Sequence, residues 1–149
     1  VGSPSGAARI PNKWIGWAEY LFRKFLEPVP SFTGDVYALD ADTGMTLWTF
    51  RPPAWHKPFC AGSTLFQPCL PDLWSGPTID AAGTVWIHWS AGGMLYGLRD
   101  ANGDGIVSLE DPAETTGFDC GSGSTGPPAI ADNMVFTCSC RRLVAFLKP

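Results

Sequence analysis

The segment DANGDGIVSLED, residues 100–111, carries the most specific arrangement of potential ligands in this sequence. Residues with side-chain oxygens alternate with other residues, and a glycine follows the third of them. Alternating oxygen ligands can wrap a hard cation while the glycine turns the chain, as in calcium-binding loops. The pattern predicts a Ca²⁺ site with these ligands in loop order: Asp100, Asn102, Asp104, the carbonyl of Ile106, Ser108 and Asp111.

The same segment has a second interpretation. Its last position is Asp111 rather than the usual Glu, and Pro112 follows where a helix–loop–helix site would continue as a helix. LRDANG also aligns with LDADTG at 39–44, so Asp100 and Asn102 could be turn residues of a repeat. The segment is therefore either a calcium loop that rigidifies a long connection between strands or a solvated acidic turn.

Other residue types that commonly perform catalysis form no catalytic pattern here. His56 lies in the Pro-rich run RPPAWHKPF, and His88 alternates with two tryptophans on a predicted strand. Neither is accompanied by a Ser, Cys or acidic motif, so we interpret both as packed or surface residues. GSGSTG at 121–126 lacks the Lys and the following helix of a phosphate-binding loop. We expect a protein that is not an enzyme.

The five cysteines favour disulfides over zinc, because no CxxC pair occurs and only two His are present. Cys60 and Cys69 lie in one Pro-rich loop and are close enough to bridge, and Cys120 could pair with Cys138 or Cys140. A disulfide would indicate a secreted, periplasmic or organelle-lumen protein, soluble or peripheral. The alternative is buried thiols that act as small hydrophobic side chains.

Composition narrows the class of protein. The 149 residues include 10 Lys+Arg against 14 Asp+Glu, a net charge of −4, and 45% hydrophobic residues. This excludes a disordered polyelectrolyte and argues against nucleic-acid binding, which needs a basic surface. No apolar run is long enough for a membrane-spanning helix. The chain starts at Val1 without an initiator Met or signal-like segment, so we expect a processed or trimmed product.

The N-terminal part is predicted to contain one helix. Residues 1–11 are mostly small and polar and are predicted to be a flexible arm. Residues 12–28 have apolar residues at helical spacing, and Pro28 ends the pattern. This amphipathic helix either packs on the chain's own sheet or docks to a partner or a membrane surface. The predicted docking residues are Trp14, Trp17, Leu21, Phe22 and Phe25.

From residue 34 onward the hydrophobic period changes to two, which predicts a mainly β domain over 34–149. Turn residues separate the segments at short intervals, so we expect antiparallel meanders. The predicted strands are 35–39, 46–50, 77–80, 84–90, 94–99, 128–131, 134–140 and 143–147.

These strands form an internal repeat. Residues 76–98 align with 126–146, each reading as short strand, turn, long strand, turn and aliphatic–aromatic strand. Residues 34–50 match the end of the same unit. Tandem meanders of this length are typical of propeller blades or a related stack of sheets, because one meander cannot bury both of its faces.

One repeat carries a more specific motif, Ala38-x-Asp40-x-x-x-Gly44-x-x-x-Trp48. It resembles the tryptophan-docking repeat of pyrroloquinoline-quinone (PQQ)-type β-propellers, a family of quinoprotein dehydrogenases and non-catalytic scaffold proteins. The resemblance implies that Asp40 binds turn amides, that Gly44 allows a close approach and that Trp48 packs across a blade junction.

The length then limits the architecture. At about 40–50 residues per blade, residues 34–149 supply roughly two and a half blades, whereas closed propellers have about 4–8. We therefore expect a partial propeller that works inside an assembly with other protein subunits or copies of itself. The predicted function is that of a non-catalytic structural subunit, either extrinsic on a membrane assembly or part of an extracellular filament.

Two other functions remain open. The chain could be a fragment of a PQQ-dependent dehydrogenase, although the adjacent cysteine pair found in many such enzymes does not occur here. It could also be a carbohydrate-binding module whose tryptophans form a sugar-stacking face. The candidate stacking residues are Trp55, Trp74, Trp86 and Trp89.

Overall fold

The computed structural model describes residues 34–57, 59–64, 74–140 and 142–148. These residues form ten β-strands and no helix, so none of them contributes a helix that could cross a membrane. The predicted arm (1–11) and helix (12–28) lie outside the described residues. The strands are β1 (Val36–Leu39), β2 (Thr46–Phe50), β3 (Thr78–Ile79), β4 (Val85–Trp89), β5 (Met94–Leu98), β6 (Ile106–Val107), β7 (Thr115–Asp119), β8 (Ala129–Ala131), β9 (Met134–Cys138) and β10 (Leu143–Leu147).

The strands form three sheets. The first sheet has the order β1-β2-β6, the middle sheet β3-β4-β5-β7, and the last sheet β8-β9-β10. Neighbouring strands are antiparallel except β2 and β6, which run parallel. The prediction of a mainly β chain with antiparallel sheets is thus confirmed.

All eight predicted strands are present, with ends that agree to within two residues. The prediction was incomplete between residues 99 and 128, where β6 and β7 also form. The chain leaves the middle sheet after β5, pairs briefly with β2 in the first sheet, and returns to the middle sheet as β7. The expectation of simple meanders is therefore wrong for this segment, because β6 is held by a strand distant in sequence.

The middle sheet is covered on both faces. Successive side chains of β4 point to opposite faces, so Ile87 and Trp89 pack against the first sheet while Trp86 packs against the last. Four of the five residues of β4 are buried, as are four of the five in β5. A strand buried on both faces has a nearly continuous run of hydrophobic residues, which accounts for the sequences of β4 (VWIHW) and β5 (MLYGL).

Aromatic side chains join the layers. Phe50 of the first sheet lies 5.3 Å from Tyr96 of the middle sheet, measured between ring centroids. On the other side, Phe118 of the middle sheet stacks on Phe146 of the last sheet at 4.4 Å and also stacks on Trp86. Each interface between sheets thus has its own hydrophobic cluster, and the three sheets form a stack of layers.

Gly97 is required by the packing of Trp86. A Cβ at Gly97 would lie 2.8 Å from the Trp86 ring, and Trp86 is both buried and tied to Asp80 through its Nε1. We predict that Gly97→Ala lowers the free energy of unfolding by about 1–3 kcal/mol, because the ring has no room to move.

Gly117 on the neighbouring strand is the matched control, since a Cβ there would come no closer than 3.4 Å to Tyr96. Gly117→Ala should be close to neutral, because removing a strand glycine also reduces the entropy lost on folding. Urea denaturation of both variants measures the difference. Equal stability of Gly97→Ala and the original chain would show that Trp86 is not confined.

Candidate functional site

The acidic loop after β5 folds around two carboxylates. Asp100 accepts hydrogen bonds from the amides of Gly103, at 2.8 Å, and Gly105, at 3.1 Å. Asp104 accepts one from the amide of Ile106 at 2.8 Å. Both glycines have positive φ angles of 76° and 83°, a conformation that other residues rarely adopt. The backbone is thereby wound so that both carboxylates face the inside of the loop's turn.

A third carboxylate joins them from the returning chain. One carboxylate oxygen from each of Asp100, Asp104 and Glu114 lies within 4.8 Å of the others. Glu114 immediately precedes β7 and is buried, with only 2% of its surface exposed. The structure therefore brings two of the predicted ligands together with one residue that the sequence pattern did not identify.

Asp111, the predicted last ligand, has another role. Its side chain accepts a hydrogen bond from the amide of Ala113 at 2.8 Å, and its carbonyl accepts those of Glu114 and Thr115. Asp111 thus closes the turn that presents Glu114, and it is not part of the acidic group. The spacing of ligands in a linear calcium loop does not identify Glu114, because a turn at residues 111–114 lies between the loop and this residue.

The other predicted ligands surround this group in different ways. Asn102 is exposed, and its side chain exchanges hydrogen bonds with Asp104. Ser108 donates its amide to Glu114 Oε2 at 2.9 Å. Ile106 lies in β6 with an exposed side chain. Their roles as ligands remain predictions.

The repeat motif holds the β1–β2 turn. Asp40 accepts hydrogen bonds from the amides of Asp42 and Thr43 and from the Thr43 hydroxyl, as the motif implied. The hydroxyl and the amides hold the pKa of Asp40 below its usual value. Gly44 has a φ of 71°, so the conformation of the turn requires a glycine. In the described part of the chain no atom lies within 4 Å of a Cβ placed at Gly44, so the expected close approach is not seen there.

Trp48 sits opposite Ala38 in the first sheet. Its half-buried ring packs against the hydrophobic cluster between the first and middle sheets. Trp48 therefore packs at the interface between the first and middle sheets, and its packing across a propeller blade junction remains a prediction.

The tryptophans proposed as a sugar-binding face are mostly packed inside the protein. Trp86 and Trp89 are buried. Trp55 and Trp74 are half-buried and pack, like Trp89, in the hydrophobic cluster between the first and middle sheets. Trp74 donates its Nε1–H to the carbonyl of Gly34 at 2.7 Å. Their rings therefore stabilise the sheets and do not form one open platform.

Two buried titratable groups, His88 in β4 and Cys120 after β7, are neutral at pH 7. His88 is fully buried, neither of its ring nitrogens has a hydrogen-bond partner among the described residues, and burial lowers its pKa to about 4. Burial also raises the pKa of Cys120 to about 11. His56, in contrast, is exposed. These environments give neither His88 nor Cys120 a charged, reactive form near neutral pH.

The predicted pairing of Cys120 with Cys138 is not formed in the structure. Both thiols are free: Cys120 is buried, while Cys138 is exposed. Strand alternation explains this, since β9 turns Thr137 inward and Cys138 outward. Cys60 is buried, and its predicted partner Cys69 lies outside the described residues.

A polar cleft of about 380 Å³ lies between the middle and last sheets, and Asp80 is one of the residues that line it. Asp80 accepts hydrogen bonds from the amides of Ala82 and Thr84 and from Trp86 Nε1, all at 3.0 Å. Lys148, after β10, pairs with the same carboxylate at 3.5 Å. Asp80 therefore joins the two sheets and fixes Trp86.

Asp80 should make the stability depend on pH. Burial alone would raise the pKa of Asp80, but hydrogen bonds from Trp86, Thr84 and Ala82 and the charge of Lys148 hold it below 3.8. A lowered carboxyl pKa stabilises the fold fully above the unfolded value, and this stability is lost as the pH falls through the folded value.

We predict that Asp80→Asn lowers the free energy of unfolding at pH 7 by about 1–3 kcal/mol. It should also flatten the loss of stability in acid, which denaturation at a series of pH values from about 2 to 6 would measure. Asp42→Asn, in an exposed turn, is the control and should change neither. An acid profile identical to that of the original chain would mean that Asp80 has no such role.

The outer face of the first sheet is exposed and mostly apolar. Leu39, Leu47 and Ile106 have 56%, 54% and 61% of their surface exposed. Ile106 of β6 and Tyr37 of β1 both pair with Thr49, which lies on the same side of β2 as Leu47, so all three strands contribute to one face. Leu39 is exposed on β1 after the register shift that follows Ala38. Their neighbours Val36, Phe50 and Val107 point the other way into the core.

The outer face of the last sheet is also apolar. Leu143 and Leu147 are each 68% exposed, and strand register places them beside Cys138 and Met134 on the same face. Alternation turns Val135, Val144 and Phe146 inward onto the middle sheet. The outer face consists of Ala129, Ala131, Met134, Phe136, Cys138, Leu143, Ala145 and Leu147.

Comparisons of the chain with protein-family models, with curated proteins and with solved structures each give no match. They therefore assign no family, and the resemblance to the PQQ-type repeat rests on the residues of the motif itself.

Proposed function

We propose that this chain is a non-catalytic structural subunit of the PQQ-type repeat kind, which assembles with copies of itself by continuing its stack of sheets. The observation that carries the proposal is the apolar, exposed character of both outer faces. A terminal sheet in a self-contained stack would present polar residues to water. Contiguous apolar patches on a protein surface instead mark interaction sites.

The internal interfaces indicate what fits on these faces. The last sheet repeats the order of β3, β4 and β5 in β8, β9 and β10. Strand register matches its outer residues Phe136 and Leu147 to Ile87 and Leu98, so its outer face corresponds to the face with which the middle sheet contacts the first sheet. By the same reasoning, the outer face of the first sheet corresponds to the side of the middle sheet that faces the last sheet.

A second copy placed head to tail would bring these two faces together. The last sheet of one copy would stack on the first sheet of the next, so each outer face would be covered by the same kind of sheet that covers the corresponding face of the middle sheet within the chain. Contacts of this type between different surfaces produce a ring if the rotation closes and a filament if it does not. Either product would bury the exposed leucines.

The free edge of β10 supports the same proposal. In the middle sheet, β7 pairs with the edge of β5. Among the residues that the structure describes, no strand takes the equivalent place beside β10, whose only neighbour is β9. An unpaired edge can accept a strand from another chain. The last sheet can therefore be extended both at its edge and on its face.

The proposal predicts that the intact chain self-associates and that Leu147→Asp weakens the association. A buried Asp would have to lose its hydration without a partner, so we expect the dissociation constant to rise at least tenfold. Sedimentation equilibrium over a wide range of protein concentrations measures this.

Ile79→Asp is the matched control. Ile79 is 67% exposed, almost the same as Leu147, but belongs to β3 of the middle sheet and lies on neither outer face. This variant should associate like the original chain. A single monomer mass for the original chain at all concentrations, or equal loss of association in both variants, would contradict the proposal.

A further inference from the structure

We propose that Asp100, Asp104 and Glu114 bind one calcium ion, and that this ion ties the first sheet to the middle sheet. The site differs from the linear loop predicted from the sequence, since Glu114 replaces Asp111 as the acid that closes it. The proposal is independent of self-association.

Glu114 provides the decisive observation. Only 2% of the surface of Glu114 is exposed. Its Oε2 accepts a hydrogen bond from the amide of Ser108 at 2.9 Å. Its other oxygen, Oε1, is buried and has no hydrogen-bond partner in the part of the chain that the structure describes. An unpaired carboxylate oxygen is costly to bury, and carboxylates without a counter-charge are rare inside proteins. A bound cation would satisfy Glu114 Oε1.

The spacing of the three acids fits a single ion. Oxygens that share one calcium at about 2.3–2.6 Å lie no more than roughly 5 Å apart. One oxygen from each of Asp100, Asp104 and Glu114 lies within 4.8 Å of the others. Three carboxylates this close repel one another, and a divalent cation would convert that repulsion into attraction.

The ligand chemistry favours calcium over softer metals. All three acids offer oxygen, which hard cations prefer, and no His or Cys among the described residues joins the group. The site is also formed by a loop whose exposed half, around Asn102 and Gly103, can adjust to seven or eight ligands including water. Magnesium demands a smaller and more regular shell.

The position of the site gives the ion a structural role. Asp100 follows β5 and Glu114 precedes β7, so the ion would join both ends of the excursion that the chain makes to the first sheet. Within that excursion, the carbonyl of Gly105 accepts a hydrogen bond from the amide of Thr49 in β2 at 3.0 Å. Calcium would thereby hold β6 against β2.

The test is a calorimetric titration of CaCl₂ into the intact, chelator-treated chain. We expect one ion per chain and a raised midpoint of thermal unfolding. Glu114→Gln keeps the shape of the side chain and an acceptor for Ser108, but removes its charge, and should weaken calcium binding at least tenfold. Glu110→Gln makes the same change in an exposed residue outside the group and should bind calcium normally.

The variant Asp111→Asn distinguishes the proposed site, which uses Glu114, from the linear calcium loop predicted from the sequence, which uses Asp111. Asn keeps the acceptor for the amide of Ala113, so the variant should bind calcium like the original chain. Hydrogen exchange adds a readout of the structural role: the Thr49 amide should exchange at least tenfold more slowly with calcium bound.

Several results would overturn the proposal. They are no binding of calcium at millimolar concentration, unchanged affinity in Glu114→Gln, equal loss in Asp111→Asn, or magnesium binding as tightly as calcium. If Glu114→Gln fails to fold, Asp104→Asn in the exposed half of the loop replaces it, with the same tenfold loss expected.

Discussion

The structure depends on one constraint, which is that the middle sheet is apolar on both faces. Leu95 and Trp86 are buried on one side, and Ile87 and Leu98 on the other. Such a sheet is stable only when a further layer covers each face, because exposure of this much apolar surface to water opposes folding. The first and last sheets supply those layers, so the chain folds as a stack.

Stacking covers both apolar faces of the middle sheet but leaves the outer faces of the first and last sheets exposed to water. Each covering sheet has its inner residues in the core, yet its outer residues, such as Leu47 and Leu147, are also apolar. Continuing the stack with another molecule removes the same unfavourable exposure that drives folding within the chain. Folding and assembly would then both depend on the stacking of apolar sheet faces. The acidic loop would hold the first sheet, at one end of the stack, against the middle sheet.

The sequence predicts most of this fold, since alternation and turn residues locate eight strands and the motif around Asp40 locates the first turn. It does not predict β6, because two residues of an acidic loop become a strand only where β2 lies beside them. It also misses Glu114, which the returning chain brings to Asp100 from outside the linear pattern. Both features depend on contacts between segments that are distant along the chain, and local sequence patterns do not predict such contacts.

The central claim is that the two outer faces contact each other between molecules, and hydroxyl-radical footprinting of the intact chain tests it most directly. The account predicts that Leu39 and Leu47 on one face, and Leu143 and Leu147 on the other, become protected together as the protein concentration rises. Ile79 on the middle sheet should stay equally reactive throughout. Unchanged reactivity of all four leucines at every concentration would contradict the account.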